Sequence, residues 1–401
     1  MRQSYSIDDY SFRNQRVLIR VDFNVPLDEE GGITDDTRMV TAIPTIRRVL
    51  ADGGSAVVMT HLGRPGGKSD PALSTRIILP HLEKLLERPV RFQDPPVGDA
   101  ARGASRKLKP GEVMLLENLR FYPGEKAADE AFARGLSELG DVYVNDAFGT
   151  AHRAHASTFT VARFFPEHRM LGYLVESEIN RINRVLNRAE PPFAAILGGS
   201  KVSTKIGIIK ALLEKVDRLI VGGGVAYTFI RAMGGKVGLS LVEEDYLNVA
   251  REVIERAKEL GVRLELPVDC VVADRMDNEA AIEHRDIREI PREWMGLDIG
   301  VRTVEAFGRL IETSRTILWN GPMGVFELPH FSNGTLRVAL SVARATDKGA
   351  FSLVGGGDSI AALNRYSLTH KISYVSTAGG ALLEYLEGRE LPSLRAIRGI
   401  F

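Results

Sequence analysis

Residues able to hold a strongly anionic ligand recur directly after apolar runs in the first half of the chain. The segments "DFNVP", "HLGRP", "NLRFYPGE" and "AFGTAHRAH" supply Asp22, Asn24, His61, Arg64, Arg120, His152, Arg153 and His155, and "DDTRMV" adds Arg38 where a helix is expected to begin. A guanidinium presents a planar fork that meets phosphate or carboxylate oxygens two at a time, which an ammonium cannot do. Any one of these residues alone is accounted for as a solvated loop arginine or a structural histidine. Their recurrence after four separate runs points to an anion site.

The second half offers glycine turns instead: "GGSK", "GGGVAYTF" at 222–229, "NGPMGVFE" at 320–327 and "GGGDS" at 355–359. Glycine lets the backbone approach a ligand closely, and free N–H groups at a helix start favour phosphate. Each turn singly is equally a tight strand-to-helix connection; several at one sheet edge suggest a nucleotide. The P-loop pattern is absent, as is a G-x-G-x-x-G after the first strand. Within "LGGSKVSTKI", a helix beginning near Ser200 would put Lys201 and Lys205 on one face of its first turns, near the positive end of the helix dipole. Such a like-charged pair costs about 0.2–0.5 kcal/mol, so two solvated lysines and a polyphosphate site both fit. Asp358 in "GGGDS" suits a nucleotide-borne Mg²⁺ or a helix N-cap.

These residues need a scaffold, and the pattern supplies one. Short apolar runs ("VLIRVD", "SAVVMT", "EVMLLE", "DVYVND", then "FAAILG", "RLIVG", "RLELP", "TILWN", "FSLVG", "ISYVS") alternate with helical patterns such as 78–87 and 243–260. This rhythm predicts an α/β fold of two doubly wound, Rossmann-like parallel-sheet lobes, whose ligands sit beyond the carboxyl ends of the strands. A long amphipathic helix over 173–190, closed by Pro191 and Pro192, separates the two sets of strands and is expected to join the lobes as a hinge. The expected division is 1–172, the 173–190 linker and 191–388.

The bulk numbers agree. The 401 residues exceed what one core usually supports, which implies two domains of roughly 150 to 200 residues. Lysine plus arginine equals aspartate plus glutamate at 52 each, so no overall field draws nucleic acid or an anionic membrane. The single Cys270 cannot form an internal disulfide and fits a reducing compartment. No run approaches the ~20 apolar residues of a membrane span, and the N-terminus has no signal-peptide character. A cytoplasmic protein is expected.

Taken in order, "RVDFNVP", "HLGRP", "ENLRFYPGE", "NDAFGTAHRAHAS", "GGSKVSTKI", "VGGGVAYTF", "WNGPMGVFE" and "VGGGDS" resemble the motif series of the phosphoglycerate kinase family, from about residue 17 to "STAGGALLEYLEGRELPSL" at 376–394. The resemblance implies transfer of a phosphoryl group between 1,3-bisphosphoglycerate and MgADP, giving 3-phosphoglycerate and MgATP. It implies phosphoglycerate binding by Asp22, Phe23, Asn24, Arg38, His61, Leu62, Gly63, Arg64, Arg120 and Arg153. ATP or ADP would be held by Lys205, Gly224, Gly296, Glu327, Gly356, Gly357, Asp358 and Ser359, with Asp358 near Mg²⁺, while Arg38 and Lys201 meet the transferred group. It also implies a monomer and a return of 389–401 to the first lobe. Ser200 stands where the family usually has Ala, Thr204 where Asp is common, and "STAGGALLEYL" where "STGGGASLEFL" is more usual.

Two other classes also suit two α/β lobes. A dehydrogenase would want a dinucleotide fingerprint with an acidic residue about 20 positions on, which the sequence lacks. A non-catalytic anion-binding protein would explain the arginines but not the Gly/Lys/Asp set.

Overall fold

The protein is described by a computed structural model covering residues 6–401. The chain forms two compact units, one running to Asn180 and completed by Glu390–Phe401, the other Arg181–Arg389.

The first unit is built on β1 (Arg16–Val21), β2 (Ser55–Met59), β3 (Val90–Gln93), β4 (Val113–Leu116), β5 (Val142–Asp146) and β6 (Arg169–Leu171). They pair in parallel in the order β3-β4-β2-β1-β5-β6. Apolar cores cover both faces, which is why β1, β2, β4 and β5 read as nearly unbroken apolar runs. Along β1 the side chains alternate: Val17, Ile19 and Val21 enter one core and Leu18 the other. Arg20 shares Leu18's face and is fully buried. The C-terminal helix Pro392–Ile397 packs on that side, with Ala396 and Ile397 in the core and Ser393 N–H donating to the Ala151 carbonyl at 3.1 Å.

The second unit carries β7 (Phe193–Leu197), β8 (Arg218–Val221), β9 (Lys236–Val237), β10 (Arg263–Glu265), β11 (Asp269–Ala273), β12 (Ile282–Asp286), β13 (Glu289–Ile290), β14 (Met295–Ile299), β15 (Thr316–Asn320), β16 (Phe351–Gly355) and β17 (Tyr374–Ser376). Its main sheet is parallel, ordered β10-β8-β7-β15-β16-β17. Numbered within that sheet alone, this is the doubly wound order 3-2-1-4-5-6, with its switch point between β7 and β15. In the first unit the order reverses between β1 and β5. Loops following these four strands are therefore where ligands are expected to gather.

All ten runs expected as strands are strands, with ends moved by one or two residues. The sequence reading missed β3, β6, β9 and β11–β14. The last group matters most, because β12-β11-β14 is an antiparallel sheet added to the doubly wound plan. It escaped notice because "IEHRD" is almost wholly polar and "MGLDI" carries Gly296 and Asp298 inside it.

The connecting helix is also shorter than expected, Tyr173–Asn187. Glu190 lies outside it because its N–H and carbonyl both bond the Thr316 hydroxyl, at 2.8 and 2.9 Å, drawing the chain toward β15 before the prolines are reached. At its other end the helix is clasped by Asp146, the last residue of β5. Asp146 Oδ1 accepts from the N–H groups of Leu174 at 2.9 Å and Val175 at 3.3 Å, satisfying donors that a helix start leaves open.

Candidate active site

In the first unit, Asp22 follows β1, Arg38 lies in the first turn of the helix Thr37–Ala51, and His61 follows β2. Asp22 Oδ2 accepts from Arg38 Nη1 at 2.8 Å, while its buried Oδ1 has no hydrogen-bond partner among the described residues and lies 3.8 Å from His61 Nδ1. His61 Nδ1 also sits 3.2 Å from Arg20 Nη2. A guanidinium can only donate, so this nitrogen accepts and the imidazole is neutral. Burial, followed by Arg20, Arg120, Arg38 and Arg153, holds the His61 pKa well below its ordinary value.

Arg20 itself is locked from behind. Its Nε donates to Ser157 Oγ at 2.8 Å and its Nη1 to the Val21 carbonyl; Ser157 Oγ in turn donates to the fully buried Glu125 at 2.6 Å. The sequence reading missed Arg20, Ser157 and Glu125. An arginine inside the apolar run "VLIRVD" was the signal for the first; Ser157 and Glu125 had none, since only folding brings them to Arg20.

Asn24 Oδ1 accepts from Gly63 N–H at 2.7 Å and Arg120 Nη1 donates to the Gly63 carbonyl at 2.9 Å. Gly63 thus carries a clamped peptide, at a φ of 61° that favours glycine. Arg120 is buried, its Nε lacks a partner among the described residues, and burial with the neighbouring Arg20 and Arg153 brings its pKa down to about 10. Arg153 Nε meets His152 Nε2 at 3.2 Å, and Arg64 is exposed. His155 is pushed down to about 4 by burial and then by Arg20, Arg120 and Arg153. Unlike these, Phe23 and Leu62 turn their side chains into the core, so only their backbone faces the turns: Phe23 N–H donates to Thr60 Oγ1 and the Leu62 carbonyl accepts from Asn118 Nδ2. The result is a crowd of guanidinium groups in which the buried Arg120 Nε still has a donor to offer, an environment that stabilises an incoming anion.

In the second unit two adjoining cavities open at the β7/β15 switch point. The larger, about 510 Å³, is lined largely by apolar and glycine residues, among them Gly224, Leu239, Met295, Gly296, Leu297 and Val325, with Glu327 exposed at its wall. The smaller, about 270 Å³, is lined by Lys205, Asn320, Gly356, Gly357, Ser359 and their neighbours. Gly199, Ser200 and Asp358 line both. Gly356, at φ 96°, opens the helix Gly357–Arg365, and a Cβ built on Gly357 meets nothing within 4 Å, so the helix start is open to a ligand. Ser359 is buried and its hydroxyl accepts from Gly321 N–H at 2.6 Å, which leaves its O–H to donate. Asp358 is exposed in the first turn and makes no capping bond, so the N-cap alternative fails.

The expected placement of the two lysines is corrected. No α-helix starts at Ser200. Lys201 is extended (φ −127°, ψ 132°), a single 3₁₀ turn spans Val202–Thr204, and the α-helix begins at Ile206. Glu243 anchors this turn by accepting from the N–H and hydroxyl of Ser203, at 2.9 and 2.6 Å. Lys201 is exposed, whereas Lys205 is drawn inward to donate to Asn320 Oδ1, and burial lowers its pKa against an opposing pull from Asp358. The two ammonium groups therefore stand in different environments and do not share a helix face.

Among the described residues no helix is long and apolar enough to cross a membrane. A family model described as Phosphoglycerate kinase matches residues 7–389. The phosphoglycerate kinase of Porphyromonas gingivalis is 51% identical, the match covering 98% of this chain and 100% of the relative. That of Chloroflexus aurantiacus is 50% identical, covering 98% of each. Among solved structures, phosphoglycerate kinase from Coxiella burnetii superposes with a TM-score of 0.88 at 42% identity, and that from Pyrococcus horikoshii with 0.84 at 34%, each covering 98% of both chains. This chain belongs to the phosphoglycerate kinase family.

Proposed function

We propose that the chain catalyses reversible phosphoryl transfer between 1,3-bisphosphoglycerate and MgADP, giving 3-phosphoglycerate and MgATP, as a cytoplasmic monomer of glycolysis. The observation that carries this reading is the division of chemistry between the units: guanidinium groups crowd around neutral His61 in one, and an apolar cavity runs into a Gly/Lys/Asp-lined one in the other.

In this reading Asp22, Asn24, Arg38, His61, Arg64, Arg120 and Arg153 hold the phosphoglycerate, with Phe23, Leu62 and Gly63 shaping the turns. The base lies in the larger cavity by Gly224, Gly296 and Glu327. The phosphates lie in the smaller one, against Lys205 and the helix start at Gly356, Gly357, Asp358 and Ser359. An exposed, uncapped carboxylate fits Mg²⁺ carried on a nucleotide; Asp358 would hold it, and the ion neutralises phosphate charge when bound.

Phosphoryl transfer passes through a loose transition state with charge spread over three equatorial oxygens, so positioning and cations supply most of the catalysis. Arg38 and Lys201 are assigned to that charge. An acyl phosphate is already a good donor and its carboxylate product is a nucleophile without a base, so the transfer is direct and in line, with no covalent enzyme intermediate. Reacting atoms must come within about 3–3.5 Å, and the two substrates are assigned to different units, so the reading includes closure about the segments joining them, the helix Tyr173–Asn187 among these. The decisive experiment is a coupled assay for ATP formation from 1,3-bisphosphoglycerate and ADP. Robust turnover is expected; none at all rejects the assignment.

A further inference from the structure

Tyr227, in the helix Gly223–Ala232, is 5% exposed and lines the larger cavity of the second unit. Its hydroxyl makes no hydrogen bond to another described residue, so it is left to meet what enters the cavity. The phenol end stands against the backbone of Gly296, where any Cβ would collide with it. The Gly296 N–H is already committed to Ser240 Oγ at 2.9 Å, so it offers nothing to a ligand. The other polar side chains on this cavity, Ser200, Glu327 and Asp358, are all exposed. Among the described residues, Tyr227 is therefore the one buried polar side chain on the cavity wall, which it shares with apolar residues such as Leu239, Met295 and Leu297.

The position within the cavity narrows what the hydroxyl can meet. Ser200 and Asp358 are shared with the smaller cavity and mark the phosphate side; Tyr227 is not shared. A purine is joined to its sugar through the five-membered ring, so the edge farthest from the phosphates is that of the six-membered ring. We propose that Tyr227 is a specificity-determining residue whose hydroxyl accepts a hydrogen bond from the exocyclic amino group at position 6 of an adenine lying against Gly296. The inference rests on the nucleotide reading of this cavity and adds the group that selects the base.

The test is calorimetric binding of ADP, and of a purine ribonucleoside diphosphate with hydrogen at position 6, to the full-length chain and to Tyr227→Phe. The substitution keeps the ring and its packing; thermal melting checks the fold. The wild type is expected to bind ADP about 3- to 10-fold tighter than the 6-hydrogen analogue, the size of one net hydrogen bond. Tyr227→Phe should bind the two alike, with ADP weakened to the analogue's level and 3-phosphoglycerate binding unchanged. A variant that keeps wild-type ADP affinity, or the wild-type ratio between the two nucleotides, overturns the proposal. If the wild type itself binds neither nucleotide, the nucleotide reading of the cavity falls and this inference falls with it, a failure distinguished by its appearance before any substitution is made.

Discussion

Arg38, assigned to the transferred phosphoryl group, is held at 2.8 Å by Asp22, whose other carboxylate oxygen lies 3.8 Å from His61. One carboxylate thus bonds a side chain on a helix and stands beside one on a loop. Hydrogen bonds to charged groups are worth about 1.5–3 kcal/mol, roughly ten- to a hundredfold in binding. Asp22→Asn is expected to raise the KM for 3-phosphoglycerate by that factor while leaving the KM for ATP within about twofold, in steady-state kinetics with each substrate varied.

The two lysines of "GGSKVSTKI" should separate kinetically. Lys201→Ala is expected to lower kcat far more than nucleotide affinity, because Lys201 is exposed and assigned to charge that develops during transfer. Lys205→Ala should chiefly weaken nucleotide binding, and Asn320→Ala should reproduce part of that loss by releasing the Lys205 ammonium. Equal losses of kcat and affinity in the Lys201 variant would move that residue into ground-state binding.

Arg20 spends each of its nitrogens on a different partner: Ser157, the Val21 carbonyl and His61. Lysine cannot span that set. Arg20→Lys should therefore cost about 3–5 kcal/mol of stability, the range for breaking a buried charged network, and raise the KM for 3-phosphoglycerate with it. Urea titration and kinetics on the same preparation check the pair of effects; a variant as stable and active as the parent would show the network to be dispensable.

Asp146 and Asp298 are both raised from 3.8 to about 7, burial being the first cause in each. A carboxyl whose folded pKa lies above its unfolded one contributes stability fully present below about pH 4 and lost as pH climbs through 7. His61 and His155 act in the opposite sense: burial favours their neutral forms, and that stability, present above pH 6.5, is lost as pH falls. The opposed slopes mask each other in the parent, so the difference is what to measure. Relative to the parent, Asp146→Asn should gain stability steadily from pH 4 to pH 7, by about 4 kcal/mol in the limit, in urea unfolding across that range.

Closure about the joining segments predicts a smaller radius of gyration when 3-phosphoglycerate and a non-hydrolysable ATP analogue are bound together than when either is bound alone. Small-angle scattering reads this directly, and an unchanged profile removes closure from the mechanism.

The parallel strands and the loops at their carboxyl ends were legible because strands buried on two faces leave unbroken apolar runs and glycine turns or arginines mark where they stop. The small antiparallel sheet was not, since β12 is solvent-facing and carries no apolar pattern. The lysine pair shows the limit of periodicity: "KVSTK" has helical spacing, but the chain there makes a single 3₁₀ turn, held at the Ser203 N–H by Glu243, 40 residues on. Arg20, Ser157 and Glu125 illustrate the same gap, a network of distant residues whose meeting no local pattern announces. Gly296 was carried over as a nucleotide contact; the structure adds that its missing side chain makes room for Tyr227.

The clasp of Asp146 on Leu174 and Val175 has a mechanical side. β5 runs beside β1 with Asp146 opposite Val21, one residue before Asp22. The strand end beside the anion-binding loop is therefore also the mounting of a helix whose 15 residues extend about 22 Å at the usual rise and whose far half belongs to the second unit. A rod fixed at one end converts a small tilt of its mount into a displacement that grows along its length. Any shift of the strand end beside Asp22 therefore carries the start of the helix with it, through the Asp146 carboxylate.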